Sequence, residues 1–289
     1  MPKKQHKTPS LADADYWIAL WLNECSKSPH TNEAYRRDVK AFLDSAAMPF
    51  DKVTPVEINR YKDHLSGAPA TRRRKITSLR SFYDFLNSRN ITDVNLSHVK
   101  LPDVKREIKK EKILSEAEIK AMIEAARPDR DGYLFVRFLY LTGARVSEAV
   151  GLKWRDLVET DDSLYANLRG KGNKTREVPI SPKLWQEIHT VRDGAADDSE
   201  VFPSIKNRKA AGRMIAKLGK AIKLGRSVSP HWFRHSCASH LLAGGADVVS
   251  VRDLLGHKSI ATTNLYAHAS NTKGLANALE KQLDRKREK

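Results

Sequence analysis

Residues 163–180 read SLYANLRGKGNKTREVPI. Two runs of alternating apolar character, SLYANLR and TREVPI, flank GKGNK, a glycine-rich polar turn, and that pattern is a β-hairpin. It is the one clear strand signal in the chain, so it decides the fold class: mainly α, with a small antiparallel sheet in the second half. The sequence on both sides reads as helix. Trp17, Leu20 and Trp21 share a face behind Ser10, which reads as an N-cap. Tyr35, Val39, Phe42 and Leu43 share another behind Thr31. In TPVEINRYKDHLSG (54–67), Thr54 is the cap, Pro55 opens the helix and Glu57 closes a capping box. Ile58, Tyr61 and Leu65 then line one face, and Gly67 stops the helix. TRRRKITSLRSFYDFLNSRN (71–90) gives a fourth helix, with Ile76, Leu79, Tyr83 and Leu86 inward. Ser115 and Glu118 form a second capping box ahead of the apolar helix YLFVRFLYLTG (133–143). Everything after Pro182 reads as helical again, with starts at Ser181-Pro182, Asp247 and Ser259.

The periodicity lapses over residues 91–112, where NLSHVKLPDVKREIKKEK carries a proline and a dense basic run. The expected organisation is an all-α domain over 1–100, a basic linker over 101–112, and a mixed domain over 113–289. The chain has 289 residues, with 52 Lys and Arg against 35 Asp and Glu, a net charge of +17. Such an excess points to nucleic acid, whose phosphates release counterions on binding. An anionic membrane is the competing partner. Against it, the basic residues are spread along the chain rather than gathered in one amphipathic segment. No apolar run nears the ~20 residues of a membrane span. The N-terminal MPKKQHKTPS has no apolar stretch of a signal peptide. Cys25 and Cys237 stand far apart, which argues against a disulfide framework and for the reducing cytoplasm; a nucleic-acid partner there would mean the nucleoid.

Several polar residues sit where a helix has no need of them. Arg145 follows a buried-looking helix, and an unpaired buried guanidinium is costly. Glu148 lies three residues on, and the two alone read first as a structural ion pair. Lys171 alone reads as a solvated turn lysine. In SPHWFRHSCASHLLAGG (229–245), His231 and Arg234 share a face between apolar residues. His231 and His235 have a spacing that fits zinc, but no paired cysteines or His-Glu-x-x-His pattern support a metal. In LLGHKSIATTNLYAH (254–268), His257 and Tyr266 stand close together. As a set, two arginines, two histidines, a lysine and a tyrosine are what metal-free phosphodiester transfer requires. Arginines clamp the non-bridging oxygens and stabilise the transition state. Histidines donate to those oxygens or handle protons near neutral pH. A lysine protonates the leaving oxygen. A tyrosine, with a free pKa of ~10, becomes a usable nucleophile among cations.

The segments LTGARVSEAVGL (141–152), GKGNKTREVPI (170–180), SPHWFRHSCASHLLAGG and LLGHKSIATTNLYAH resemble, in order and spacing, the motifs of the tyrosine recombinases. This is the λ-integrase family, and the likeness is greatest to its simple Xer-type members. The resemblance implies that Arg145 and Arg234 clamp the scissile phosphate and that Lys171 is the general acid toward the 5′-oxygen. It makes His231 the proton-handling or hydrogen-bonding histidine, His257 a second phosphate contact, and Tyr266 the nucleophile that takes the 3′-phosphate. Glu148 matches an acidic residue that supports the site from behind; Lys174 and His235 are weaker matches. No metal or nucleotide cofactor is implied.

The family fold implies a SAM-like helical core-binding domain and a mixed catalytic domain, closing as a C-shaped clamp on DNA. It makes Arg72, Arg73, Arg74 and Lys75 DNA contacts of the first domain. In NRKAAGRMIAKLGKAIK (207–223), Arg208, Lys209, Arg213 and Lys217 lie on a helix suited to the major groove. Leu275, Leu279 and Leu283 form a stripe that packs on its own domain or docks on a neighbouring protomer. The expected assembly is a homotetramer on two paired double-stranded sites, or a heterotetramer with a related recombinase, with or without accessory proteins. The expected role is resolution of chromosome, plasmid or cointegrate dimers through a Holliday junction. A phage or mobile-element integrase, a type IB topoisomerase-like enzyme and a non-catalytic DNA-binding relative are the alternatives.

Overall fold

A computed structural model of the chain describes residues 13–25, 28–104, 110–170 and 175–256. By its contacts the chain divides into two compact units, Met1–Arg106 and Glu107–Lys289. Lys171, Lys174, His257, Ser259, Tyr266, Leu275, Leu279 and Leu283 lie outside the described residues, as does Ser10.

The first unit is helical among its described residues: α1 (Ala14–Glu24), α2 (Pro29–Ala46), α3 (Pro55–His64) and α4 (Pro69–Asn87). Their apolar faces meet around Trp21, Phe42, Phe82 and Tyr83, all at most 1% exposed. The Tyr83 hydroxyl donates to Phe50 O at 3.1 Å, so burying that ring leaves no polar atom unpaired. Thr54 and Glu57 form the expected capping box at the start of α3. Two expected starts are corrected. Asp13 caps α1, its carboxylate accepting from Tyr16 N. Ser28, not Thr31, caps α2, with Pro29 at the first helical position. The loss of periodicity after 91 does not end the packing either. Val94, Leu96 and Val99 are buried in this core, and Asn87 Nδ2 donates to Val94 O at 2.9 Å.

The second unit is built on α6 (Arg130–Thr142), which runs buried along almost its whole length. Burial on every side makes it the core element of the unit, and the charge it carries inside, Arg137, pairs with Glu187. Around it lie α5 (Glu116–Ala126), α7 (Val146–Val150), α8 (Pro182–His189), α9 (Arg208–Ala221), α10 (Pro230–Ala243) and α11 (Val248–Leu255). Ser115 and Glu118 cap α5 as expected, and Ser181 and Asp247 cap α8 and α11.

The hairpin is present as β2 (Ser163–Arg169) and β3 (Thr175–Pro179). A further strand, β1 (Leu157–Thr160), completes a three-stranded antiparallel sheet in the order β1-β2-β3. Ala166 faces both Leu157 and Val178 in register, so the buried positions of all three strands lie on one face. The stretch after α8 is not helical until α9. It turns back to pair Glu200 with Lys153 in an isolated bridge. Among the described residues no helix is long and apolar enough to cross a membrane.

Candidate active site

The site begins where α6 stops. Gly143 adopts φ 61° and turns the chain out of the core. Glycine is needed there, because a Cβ at Gly143 would sit 2.5 Å from Leu255 Cδ2 and 3.2 Å from Cys237 Sγ. Two residues later Arg145 occupies the N-cap of α7. Glu148, in the first turn of α7, accepts from the Arg145 backbone N–H at 2.7 Å and from Arg145 Nη1 at 2.6 Å. The Arg145–Glu148 pair is therefore real, and it holds the guanidinium at the mouth of the α6–α7 turn.

Arg234 comes from α10 and is 6% exposed. Its Nη1 donates to Gly143 O at 2.7 Å and its Nη2 to Leu255 O at 2.5 Å. Those acceptors are neutral. They orient the fork without cancelling its charge. Burial, then the charges of Arg145 and Arg176, depress the Arg234 pKa to about 9, which still leaves it cationic at neutral pH. His231 lies one turn earlier on α10. Desolvation, then Arg234 and Arg145, hold its pKa below the ordinary histidine value, so it is a neutral acceptor at pH 7.

Arg176 on β3 was not singled out in the sequence. It donates Nη1 to Glu148 Oε1 at 2.7 Å and Nη2 to Glu148 Oε2 at 2.8 Å. Its Nε donates to Leu254 O at 3.0 Å. Burial of Glu148 works to raise its pKa. The hydrogen bonds and charge of Arg176, followed by those of Arg145, overcome that and take the carboxyl down to about 2.

Arg145 Nη2 reaches Gly256 O at 3.2 Å. Three successive carbonyls at the end of α11 thus each accept from a different arginine: Leu254 from Arg176, Leu255 from Arg234, Gly256 from Arg145. These are the acceptors a helix C-terminus leaves without intrahelical partners, at its electronegative end.

The structure therefore gathers Arg145, Glu148, His231 and Arg234 into one cationic cluster and adds Arg176. His235 lies on the same helix; burial, then His231 and Arg234, take its pKa to about 4. The expected DNA contacts fall elsewhere. Arg208, Lys209, Arg213 and Lys217 are exposed on α9, whose other face buries Ala211, Ile215 and Leu218. Of the basic run that opens α4, Arg73 donates to Pro102 O at 3.0 Å, and Arg74 pairs with the buried Asp38 and with Ala34 O. Arg72 and Lys75 are half-buried.

Two family descriptions match the chain. Phage integrase family covers residues 112–273, and Phage integrase, N-terminal SAM-like domain covers residues 14–90. The chain belongs to the phage integrase family. Within this family, the tyrosine recombinase XerC of Thermodesulfovibrio yellowstonii is 30% identical over 89% of this chain and 93% of its own. The tyrosine recombinase XerD of Brucella suis biovar 1 is 33% identical over 90% of this chain and 93% of its own. A λ integrase dimer bound to a core site matches with a TM-score of 0.70 at 16% identity, over 90% of this chain and 96% of that one, a likeness of fold. This integrase-family chain is an Xer-like tyrosine recombinase, an enzyme that cleaves and rejoins DNA.

Proposed function

We propose that the cationic cluster of the second unit holds the scissile phosphate of a double-stranded recombination site, and that Tyr266 attacks it. The observation that carries this is the charge balance at the end of α11. Arg145 and Arg234 converge there, while the carboxylate beside them, Glu148, is already committed to Arg145 and Arg176. A surplus of oriented guanidinium charge suits an anion with several equatorial oxygens, as a phosphoryl transition state has.

In the proposed reaction the Tyr266 oxygen forms a bond to phosphorus. The bond from phosphorus to the 5′-oxygen breaks, and its electron pair leaves with that oxygen. Lys171 supplies the proton that makes a 5′-hydroxyl. The neutral imidazole of His231 takes the proton from Tyr266, and His257 donates to a phosphate oxygen. The bond energy is kept in the 3′-phosphotyrosine, so a 5′-hydroxyl attacking it rejoins DNA without ATP. Exposed basic side chains of α9 and the arginines that open α4 contact the flanking duplex. Four protomers on two paired sites exchange strands in two steps through a Holliday junction. The biological setting is resolution of chromosome, plasmid or cointegrate dimers, and the domains are an N-terminal core-binding one and a C-terminal catalytic one.

The test is a covalent trap. The protein is mixed, without metal, with nicked suicide duplexes drawn from DNA flanking its own gene, and the products are run on a denaturing gel. An adduct whose linked peptide contains Tyr266, absent from Tyr266→Phe, is the expected result. An adduct persisting in Tyr266→Phe overturns the assignment of the nucleophile.

A further inference from the structure

Arg176 touches no position proposed for the phosphate, yet it has more bonding commitments than its place on a strand explains. All three of its hydrogen-bonding nitrogens are used, two on Glu148 and one on Leu254 O. Its side chain is 14% exposed. It joins three elements that the sequence keeps apart: α7 through Glu148, β3 through its own backbone, and the end of α11 through Leu254. Gly256 closes around it. A Cβ at Gly256 would lie 2.8 Å from Arg176 Cδ, and Gly256 has φ 62°.

Glu148 is the other half of the arrangement. It fixes Arg145 from both backbone and side chain. Arg145 in turn reaches the carbonyl of Gly256. Glu148, Arg176, the end of α11 and Arg145 therefore form a closed ring of contacts. The chain that leaves Gly256 leads to His257 and Tyr266.

On the reading that Arg145 clamps the phosphate and Tyr266 attacks it, we propose that Arg176 is a positioning residue for cleavage. It locks Glu148 to the C-terminal end of α11, so that the Arg145 guanidinium and Gly256, the last residue before the segment with His257 and Tyr266, keep one relative placement. A planar fork with an additional Nε–H can bind a carboxylate twice and a carbonyl at once. A lysine cannot, although it restores the charge. Displacements of about 1 Å in such placement lower rates about 100-fold while leaving binding largely intact.

The test compares the parent with Arg176→Lys and Gly256→Ala on a suicide duplex at saturating DNA. DNA affinity, thermal unfolding and the rate of covalent adduct formation are all measured. Both variants are expected to bind DNA within about threefold of the parent, and to form the adduct about 100-fold more slowly. The same reaction is then run with sulfur replacing the 5′-bridging oxygen, a leaving group that needs no proton. The deficit is expected to persist, since the fault lies in placing the nucleophile. Recovery on the sulfur substrate means that Arg176 acts through the proton donor, Lys171, and overturns the proposal. Arg176→Lys cleaving within threefold of the parent overturns it as well. If Arg176→Lys fails to fold, Gly256→Ala decides: normal cleavage there overturns the proposal, and the binding-neutral loss supports it. No adduct with the parent protein refutes the underlying reading of the site instead, and is seen before any variant is compared.

Discussion

Glu148 holds two guanidinium groups at 1% side-chain exposure, and its chemistry is correspondingly unforgiving. Glu148→Gln removes the charge but keeps the shape, leaving Arg145 and Arg176 facing each other. Unfolding in urea is expected to show a loss of about 3 kcal/mol, the scale for breaking a buried pair. The same carboxyl sets a pH dependence. Its pKa falls from 4.5 in the unfolded chain to about 2 in the fold, so the stability it contributes is present above pH 4.5 and is lost as pH falls toward 2. His235 acts over a higher window. Its pKa falls from 6.5 to about 4, so the unfolded chain binds the proton first. Stability then decreases as pH drops from 6.5 to 4, and His235→Asn is expected to flatten that step in a series of thermal melts. In the proposed reaction His231 acts on the rate instead. Adduct formation should lose rate on the acid side with a midpoint below 6.5, and His231→Gln should abolish that limb. At this scale the sequence exposed Arg145, Glu148, His231 and Arg234, because charge in an apolar helix is conspicuous. Arg176 stayed hidden. It alternates correctly in a strand, and its partners lie 28 and 78 residues away. The carbonyls that hold Arg234 were equally invisible, since main-chain acceptors leave no trace in residue type.

Helix α9 divides its labour between two faces. Asn207 caps it, accepting from Lys209 N at 3.0 Å and Ala210 N at 2.9 Å. Asn207→Ala should cost about 1 kcal/mol in denaturant unfolding, a cap's usual contribution. Arg213 is expected to matter differently. If Arg213→Ala weakens binding to all duplexes alike and lowers the salt slope by about 1, it contacts phosphate; if it relaxes preference at one base pair, it reads that base. Elements were legible where local chemistry was explicit. Thr54-Pro55-Val56-Glu57 and Ser115-Glu-Ala-Glu118 announce their own helix starts. Strand β1 gives no signal in the sequence because it is short and only Leu157 is buried in it, so it shows no alternation. The start of α2 is ambiguous in the sequence for a simpler reason. Ser28-Pro29 carries the same signal as Ser181-Pro182, and Thr31 three residues on is also a good cap type.

For the whole chain, the net charge of +17 sets the largest single expectation about binding. Affinity for duplex DNA should fall by about 10³ to 10⁵ between 50 and 200 mM salt, the range for roughly six to ten phosphate contacts. A fluorescence titration at several salt concentrations measures it, and a flat response would remove phosphate as the main source of affinity. Each unit closes its own hydrophobic core among the described residues, one around Trp21 and Phe82, the other around Phe135 and Phe138. Residues 1–106 made alone should therefore melt cooperatively, as followed by circular dichroism. In the sequence, the break in periodicity after residue 90 is what suggests two parts. Val94, Leu96 and Val99 pack into the first core without helical spacing, and irregular chain that buries apolar groups resembles a linker in sequence.

Gly143 carries a consequence for how this enzyme can change. Its carbonyl holds Arg234, its backbone turn has no room for a side chain, and Leu255 and Cys237 press on it from two other helices. A new residue there would disturb the seat of Arg234 and the packing of three helices in one step, so the junction is closed to gradual adaptation. The outward face of α9 is open to it. Lys209, Arg213 and Lys217 can be exchanged for other side chains while Ala211, Ile215 and Leu218 keep the helix seated. If that face meets the duplex as proposed, retargeting to a new DNA sequence, by nature or by a library, can proceed there while the α6–α7 junction stays unchanged.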